Sequence, residues 1–187
     1  QTGIETGSPR LIEKYMSGKA LPSSPEEWPE IVRQSLGILE ENGWVPACTT
    51  INGLPGEEPD DVVRTLELID EIKDYKALIV PLNFVFMEGS HLSEEKSFTA
   101  EDMLPEHWQV IGECLEHDAQ VSREMKDSIQ MEGSIKGRLL DWLTDYLIGN
   151  GEKYAQEMKE GSPPADYDEV SQHTFPECLE RREVKNF

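Results

Sequence analysis

The sequence predicts an α/β fold built on a parallel sheet. Strand-like and helix-like segments alternate through the first two-thirds of its 187 residues, the pattern of strands joined by right-handed crossovers. The run Ala77 to Phe86 is almost continuously apolar, as in a strand buried on both faces. The helical segments between the strands are long enough to cross back over the sheet.

Ile4 to Thr6 reads as the end of a strand, and Pro9 to Met16 as a short helix. Ser24-Pro25-Glu26-Glu27 starts a second helix: Ser24 caps, Pro25 fits the first turn, and Glu27 stands where a capping box needs it. Trp28, Ile31, Val32, Ser35, Leu36 and Leu39 keep a helical period until Asn42-Gly43 stops it. Trp44 to Asn52 is the next strand, and Gly53-Leu54-Pro55-Gly56-Glu57 a tight turn. A helix over Pro59 to Asp74 turns Val62, Val63, Leu66, Ile69 and Ile72 inward. After the strand ending at Phe86 comes a polar loop from Met87 to Ala100. Thr99 caps a helix over Glu101 to Glu116, and Ala119 to Glu160 reads as mostly helical, broken near Gly133 and Gly137. The apolar stripe from Leu139 to Ile148 is a packing face, and no internal repeat is present.

Lys and Arg total 17 against 38 Asp and Glu, a formal charge of −21. That balance argues against nucleic acid or an anionic membrane as a broad electrostatic partner. No run is long and apolar enough to span a bilayer, and the start at Gln1 shows no secretory leader pattern. Cys48, Cys114 and Cys178 lie 66 and 64 positions apart, too far for a zinc or iron–sulfur motif, and fit the reducing cytoplasm as buried thiols. The histidines at 91, 107, 117 and 173 are scattered and read as surface or loop residues, with His91 the one on the functional rim. His173 and Cys178 sit in a flexible acidic setting that does not suit catalysis.

Two loops carry the chemistry. Gly3-Ile4-Glu5-Thr6-Gly7-Ser8 and Ile51-Asn52-Gly53-Leu54-Pro55-Gly56-Glu57 each join a strand to a helix, one unit apart. Parallel α/β folds bind ligands where strands deliver their C-terminal ends. Glycines let the backbone approach a ligand, and a carboxylate such as Glu5 accepts from hydroxyls or an ammonium group.

The ordered series Gly-Ile-Glu-Thr-Gly-Ser-Pro-Arg-Leu-Ile (3–12), Met16, Gly18-Lys19, Ile51-Asn-Gly-Leu-Pro-Gly-Glu57, Asp60-Asp61-Val62 and Thr65-Leu66 resembles the second half of a radical S-adenosylmethionine (radical SAM) barrel. The segments Pro25-Glu-Glu-Trp-Pro-Glu, Gly37-Ile-Leu-Glu-Glu-Asn-Gly-Trp-Val-Pro and Val80-Pro-Leu-Asn-Phe-Val-Phe-Met look like archaeal members of the tetraether-lipid-synthase type, and the series also resembles cobalamin-type members. The resemblance implies the C-terminal half of a partial (β/α)6 TIM-like barrel over 1–118, a C-terminal helical extension over 119–160, and a polar, mostly irregular tail over 161–187.

It also implies residues. Lys19 would pair with the carboxylate of S-adenosylmethionine and Glu5 with its ammonium or a hydroxyl, with Thr6 and Ser8 as polar neighbours. Thr49, four before the turn glycine Gly53, would meet the ribose, Ile51 would pack on the adenine, Gly53 would belong to the cofactor-binding set, and Pro81, Leu82 and Asn83 would line the adenine or substrate side. One departure dominates: the Cys-x-x-x-Cys-x-x-Cys that holds a [4Fe–4S] cluster in that family is absent. The expectation is therefore a C-terminal piece of a longer cytoplasmic enzyme, whose N-terminal half holds the cluster and is this chain's first partner. Such an enzyme functionalises an unreactive carbon of a small molecule or lipid, by C–C coupling or methyl transfer, with cobalamin as a further cofactor of some members. By that expectation no residue of this chain holds a metal, and the chain alone is inactive. The alternative is a non-catalytic binding or scaffold module that kept the barrel motifs.

Overall fold

The computed structural model describes residues 1–86, 96–128 and 135–167. Three parallel strands, β1 (Thr2–Glu5), β2 (Ala47–Asn52) and β3 (Leu78–Asn83), lie side by side in chain order. Among the described residues five helices accompany them: α1 (Pro9–Met16), α2 (Trp28–Glu41), α3 (Pro59–Ile72), α4 (Pro105–Ser128) and α5 (Ile135–Met158). The α/β class and the parallel order agree with the sequence.

Local chemistry sets the boundaries. Ser8 caps α1 by accepting the Leu11 N–H at 3.3 Å, and Pro9 follows it. A 3-10 turn over Pro25–Glu27 leads into α2, and the Glu27 carboxylate accepts the Ser24 N–H at 3.0 Å. Gly43, at φ 74°, ends α2. Trp44 is spent on that ending, donating its N–H to Leu39 O at 2.9 Å, and Pro46 has no N–H to give. For these reasons β2 begins at Ala47 and not at Trp44.

The core lies on one side of the sheet. Ile4, Cys48 and Ile79 from the three strands meet Ile12, Trp28, Val32, Leu36, Val62, Leu68, Ile69, Ile72, Val110 and Cys114 from the helices. Truncating one of the larger members to Ala costs about 2–5 kcal/mol in such surroundings. The other side of β3 carries Val80 and Leu82, which remain 38% and 46% exposed. Burial of this strand on both faces, expected from its apolar run, is not seen among the described residues, whose helices cover one face of the sheet.

The outer edge of β3 is blunted. Leu78 and Phe84 donate towards β2, to Pro46 O at 2.9 Å and Asn52 O at 2.8 Å, so the odd-numbered N–H groups point outward. Asp118 of α4 accepts the Ile79 N–H at 2.7 Å, and Pro81 has no N–H. His117 donates from Nε2 to Ala77 O at 2.8 Å beside them. α4 continues unbroken through 118, where the sequence suggested a boundary. Residues 161–167, irregular as expected, are docked: Tyr167 stands edge-on to Trp108 at 5.3 Å, and Tyr154 donates to Asp166 at 3.1 Å. No helix of the described residues is long and apolar enough to cross a membrane.

Candidate functional site

Strand alternation assigns the uncovered face. Gly3, Thr49 and Val80 share one rung, and Ile51 and Leu82 the next towards the strands' C-terminal ends. Cys48, Thr50 and Asn52 alternate with these residues and are buried on the helical side.

At the end of β1 the chain turns sharply. The Thr6 N–H bonds back to Ile4 O at 2.9 Å, and Glu5 between them has φ 67°, so the three residues form a γ-turn of the positive-φ kind. The turn folds the Glu5 carboxylate back over Gly3. Lys19, fourteen residues on, closes the arrangement: its ammonium pairs with Glu5 Oε1 and donates to Gly3 O at 3.1 Å. Both charged groups occupy the space that a side chain at position 3 would take. A Cβ on Gly3 would run into the Glu5 carboxylate and come within 2.9 Å of Lys19 Nζ. Trp28 stands beneath, its indole donating to Ile4 O at 3.1 Å and Thr6 O at 3.0 Å.

Thr6 and Ser8 are turned elsewhere. Both are buried. Thr6 Oγ1 lies 3.1 Å from Thr65 Oγ1, and the Ser8 hydroxyl donates to Asp61 at 2.5 Å. Arg10 grips the same carboxylate with Nε, at 3.2 Å, and Nη2, and also donates to Gly56 O at 2.9 Å. Burial pushes the Asp61 carboxyl up, but the hydrogen bonds from Arg10, Ser8 and the Glu58 amide outweigh it and hold the group below the ordinary carboxylate range. This network ties the loop after β1 to the start of α3.

The loop after β2 is held by a second buried pair. Gly53, at φ 75°, donates its N–H to Glu57 Oε2 at 2.7 Å. The same oxygen is 2.9 Å from His107 Nε2. The Leu104 N–H donates to His107 Nδ1 at 2.9 Å, so Nε2 carries the proton and donates to Glu57. Phe98 packs on Gly53 so closely that a Cβ there would overlap its ring, and it lies 5.0 Å from the His107 ring. These groups, with Lys96 and Asp102, border a cavity of about 350 Å³.

The structure brings Glu5, Lys19, Thr49 and Ile51 to one face, with Gly53 just beyond its rim. Pro81 and Asn83 pair with Thr50 and Asn52, so strand alternation sets them on the opposite parity from Leu82 and Val80. His107 and His117 are buried and hydrogen-bonded, not surface residues, because each fastens α4 to the sheet or its loops. His91, His173 and Cys178 lie outside the described residues. Burial raises the Cys48 thiol to about 11 and the Cys114 thiol further, so both are inert at neutral pH. Among the described residues no group of three or more His, Cys, Asp or Glu is placed to hold a metal ion.

In the sequence Trp28 and His107 had no part in the site, and Gly3 and Glu57 stood only as members of their loops. Gly3 carried a signal, as a glycine two positions before a strand-end carboxylate. The Glu57–His107 pairing spans fifty residues and left none. No family model matches the chain, and no curated protein matches it.

Proposed function

We propose that this chain forms the C-terminal part of a radical SAM catalytic barrel and supplies one wall of its S-adenosylmethionine site. The observation that carries the reading is the Glu5–Lys19 pair on the uncovered face, at the C-terminal end of a parallel sheet. An α-amino-acid end presents an ammonium and a carboxylate together. A lysine and a glutamate side by side complement both charges, and Lys19 and Glu5 are partly exposed to receive them. Thr49 offers a hydroxyl to a ribose, and Ile51 with Leu82 an apolar surface to a base. The uncovered face supports a barrel whose other half comes from elsewhere in the protein, while the blunted β3 edge suits its last strand.

S-adenosylmethionine held at Lys19 and Glu5 would supply, with an electron from a [4Fe–4S] cluster carried by another part of the protein, radical chemistry able to take hydrogen from an unreactive carbon. This chain's residues bind and orient. Lys19 neutralises the carboxylate, Glu5 takes the ammonium, and Val80 and Leu82 keep the neighbouring surface apolar for a small-molecule or lipid substrate. C–C coupling and methyl transfer are both within such chemistry, and cobalamin would belong to a region outside these strands.

The test is titration calorimetry of S-adenosylmethionine into the intact protein and its Lys19→Ala variant. The reading predicts a loss of about tenfold or more in affinity. Unchanged affinity would remove Lys19 from the site.

A further inference from the structure

The γ-turn at Glu5 needs a cause. A positive φ at a residue other than glycine is strained and persists only where surrounding structure holds it. Among the described non-glycine residues Glu5 alone has a positive φ. The carbonyls on either side of it, Ile4 O and Thr6 O, both point at one donor, the Trp28 indole N–H, at 3.1 and 3.0 Å. Trp28 is buried at the start of α2, just after the capping turn that fixes where the helix begins. Its ring also faces the other charged partner, with Lys19 Nζ 6.0 Å from the ring centroid. One side chain therefore touches the backbone that carries the carboxylate and the cation that answers it.

We propose that Trp28 is the positioning residue of this site: its N–H holds the Ile4–Thr6 turn in the shape that stands the Glu5 carboxylate beside Lys19, ready for the ammonium of an amino-acid ligand. The inference rests on the function proposed above for the ligand, but not for the turn itself. Trp28 does not touch the ligand. It acts by fixing φ at Glu5, and so the direction of the carboxylate. Burial alone does not require the N–H, since an apolar two-ring group of the same size would fill the same core without a donor. Ile4 O also accepts the turn's own Thr6 N–H, and the indole is the donor that bridges the two carbonyls on either side of Glu5.

The test uses the 187-residue chain without ligand. In one variant Trp28→Phe removes the N–H. In the other, Trp28 is replaced by β-(3-benzothienyl)alanine, which keeps the two-ring shape and loses only the donor. Nuclear magnetic resonance then reads the Glu5 HN–Hα coupling, which reports φ, and the exchange rate of the Thr6 amide, which reports the turn's own bond. Both variants are expected to move the Glu5 coupling out of the left-handed value and to speed Thr6 exchange about tenfold, with Ile79 in β3 unchanged as a control. A benzothienyl variant that keeps the Glu5 coupling and the Thr6 protection overturns the proposal, even if the Phe variant fails to fold. Failure of the S-adenosylmethionine titration with an intact turn counts against the ligand reading and leaves the role of Trp28 standing.

Discussion

Glu57 and His107 form a buried pair that fastens the loop after β2 to the first turn of α4. His107 Nε2 donates to Glu57 Oε2 at 2.9 Å, and their side chains are 4% and 7% exposed. The Glu57 oxygen also accepts the Gly53 N–H, so one carboxylate sets the turn that borders the proposed adenine side. Removing its imidazole partner would leave a carboxylate desolvated and short of a donor. His107→Ala is expected to lower unfolding free energy by about 2–3 kcal/mol in urea denaturation, and His107→Gln, which can still donate, by less. Equal losses for the two variants would mean that volume, not the hydrogen bond, matters at this position.

Gly53 is constrained twice, by φ 75° and by the ring of Phe98. Gly53→Ala is expected to cost about 1–3 kcal/mol. Phe98→Ala in the same chain relieves the overlap but not the backbone strain, so the double variant should recover part of the loss beyond the sum of the two single effects. Simple additivity in thermal melts would contradict the contact.

Asp61 answers to acid. Its carboxyl is held below the ordinary range in the folded chain, so the unfolded chain binds the proton more tightly. The stabilisation is present above the unfolded value of about 4 and is lost as pH falls through the folded value. Asp61→Asn should therefore flatten the decline of stability below about pH 4, read by chemical denaturation across pH. A variant with the parent's acid slope would show that Arg10 and Ser8 do not act through this carboxylate.

Asp118 answers in the opposite sense. Burial raises its pKa to about 7, against a smaller lowering by the Ile79 N–H. The folded chain holds this proton more tightly than the unfolded one. The resulting stability is full below about 4 and is lost as pH rises through about 7. Thermal melts should show a fall in Tm between pH 5 and 8 that Asp118→Asn reduces. The same slope in both proteins would place the titrating group elsewhere.

The helices α2 and α3 were legible in the sequence, because capping residues and hydrophobic period are local signals, and the alternation of strands with helices pointed to a parallel sheet. Ser24-Pro25-Glu26-Glu27 and Asn42-Gly43 mark the two ends of the second helical segment in sequence alone. Strand ends were less legible, since Trp44 looks like a strand residue until its N–H is seen closing α2. At the site, Glu5 and Lys19 came from the likeness of their loops to a known family, and the structure sets them together. Thr6 and Ser8 share that loop, but their side chains point into the core, a direction set by the turn at Glu5 that no spacing reveals. Pro81 and Asn83 differ from Leu82 only in strand parity, which a register fixes and composition does not. Glu57 and His107 met through tertiary packing alone.

Whether the Glu5–Lys19 face receives S-adenosylmethionine is read by titrating that ligand into the labelled 187-residue chain and following it amide by amide. Weak binding is expected, with shifts gathered at Gly3, Glu5, Thr49 and Ile51 that disappear in Lys19→Ala. Shifts gathered elsewhere, or an unaltered titration in the Lys19 variant, would contradict this reading.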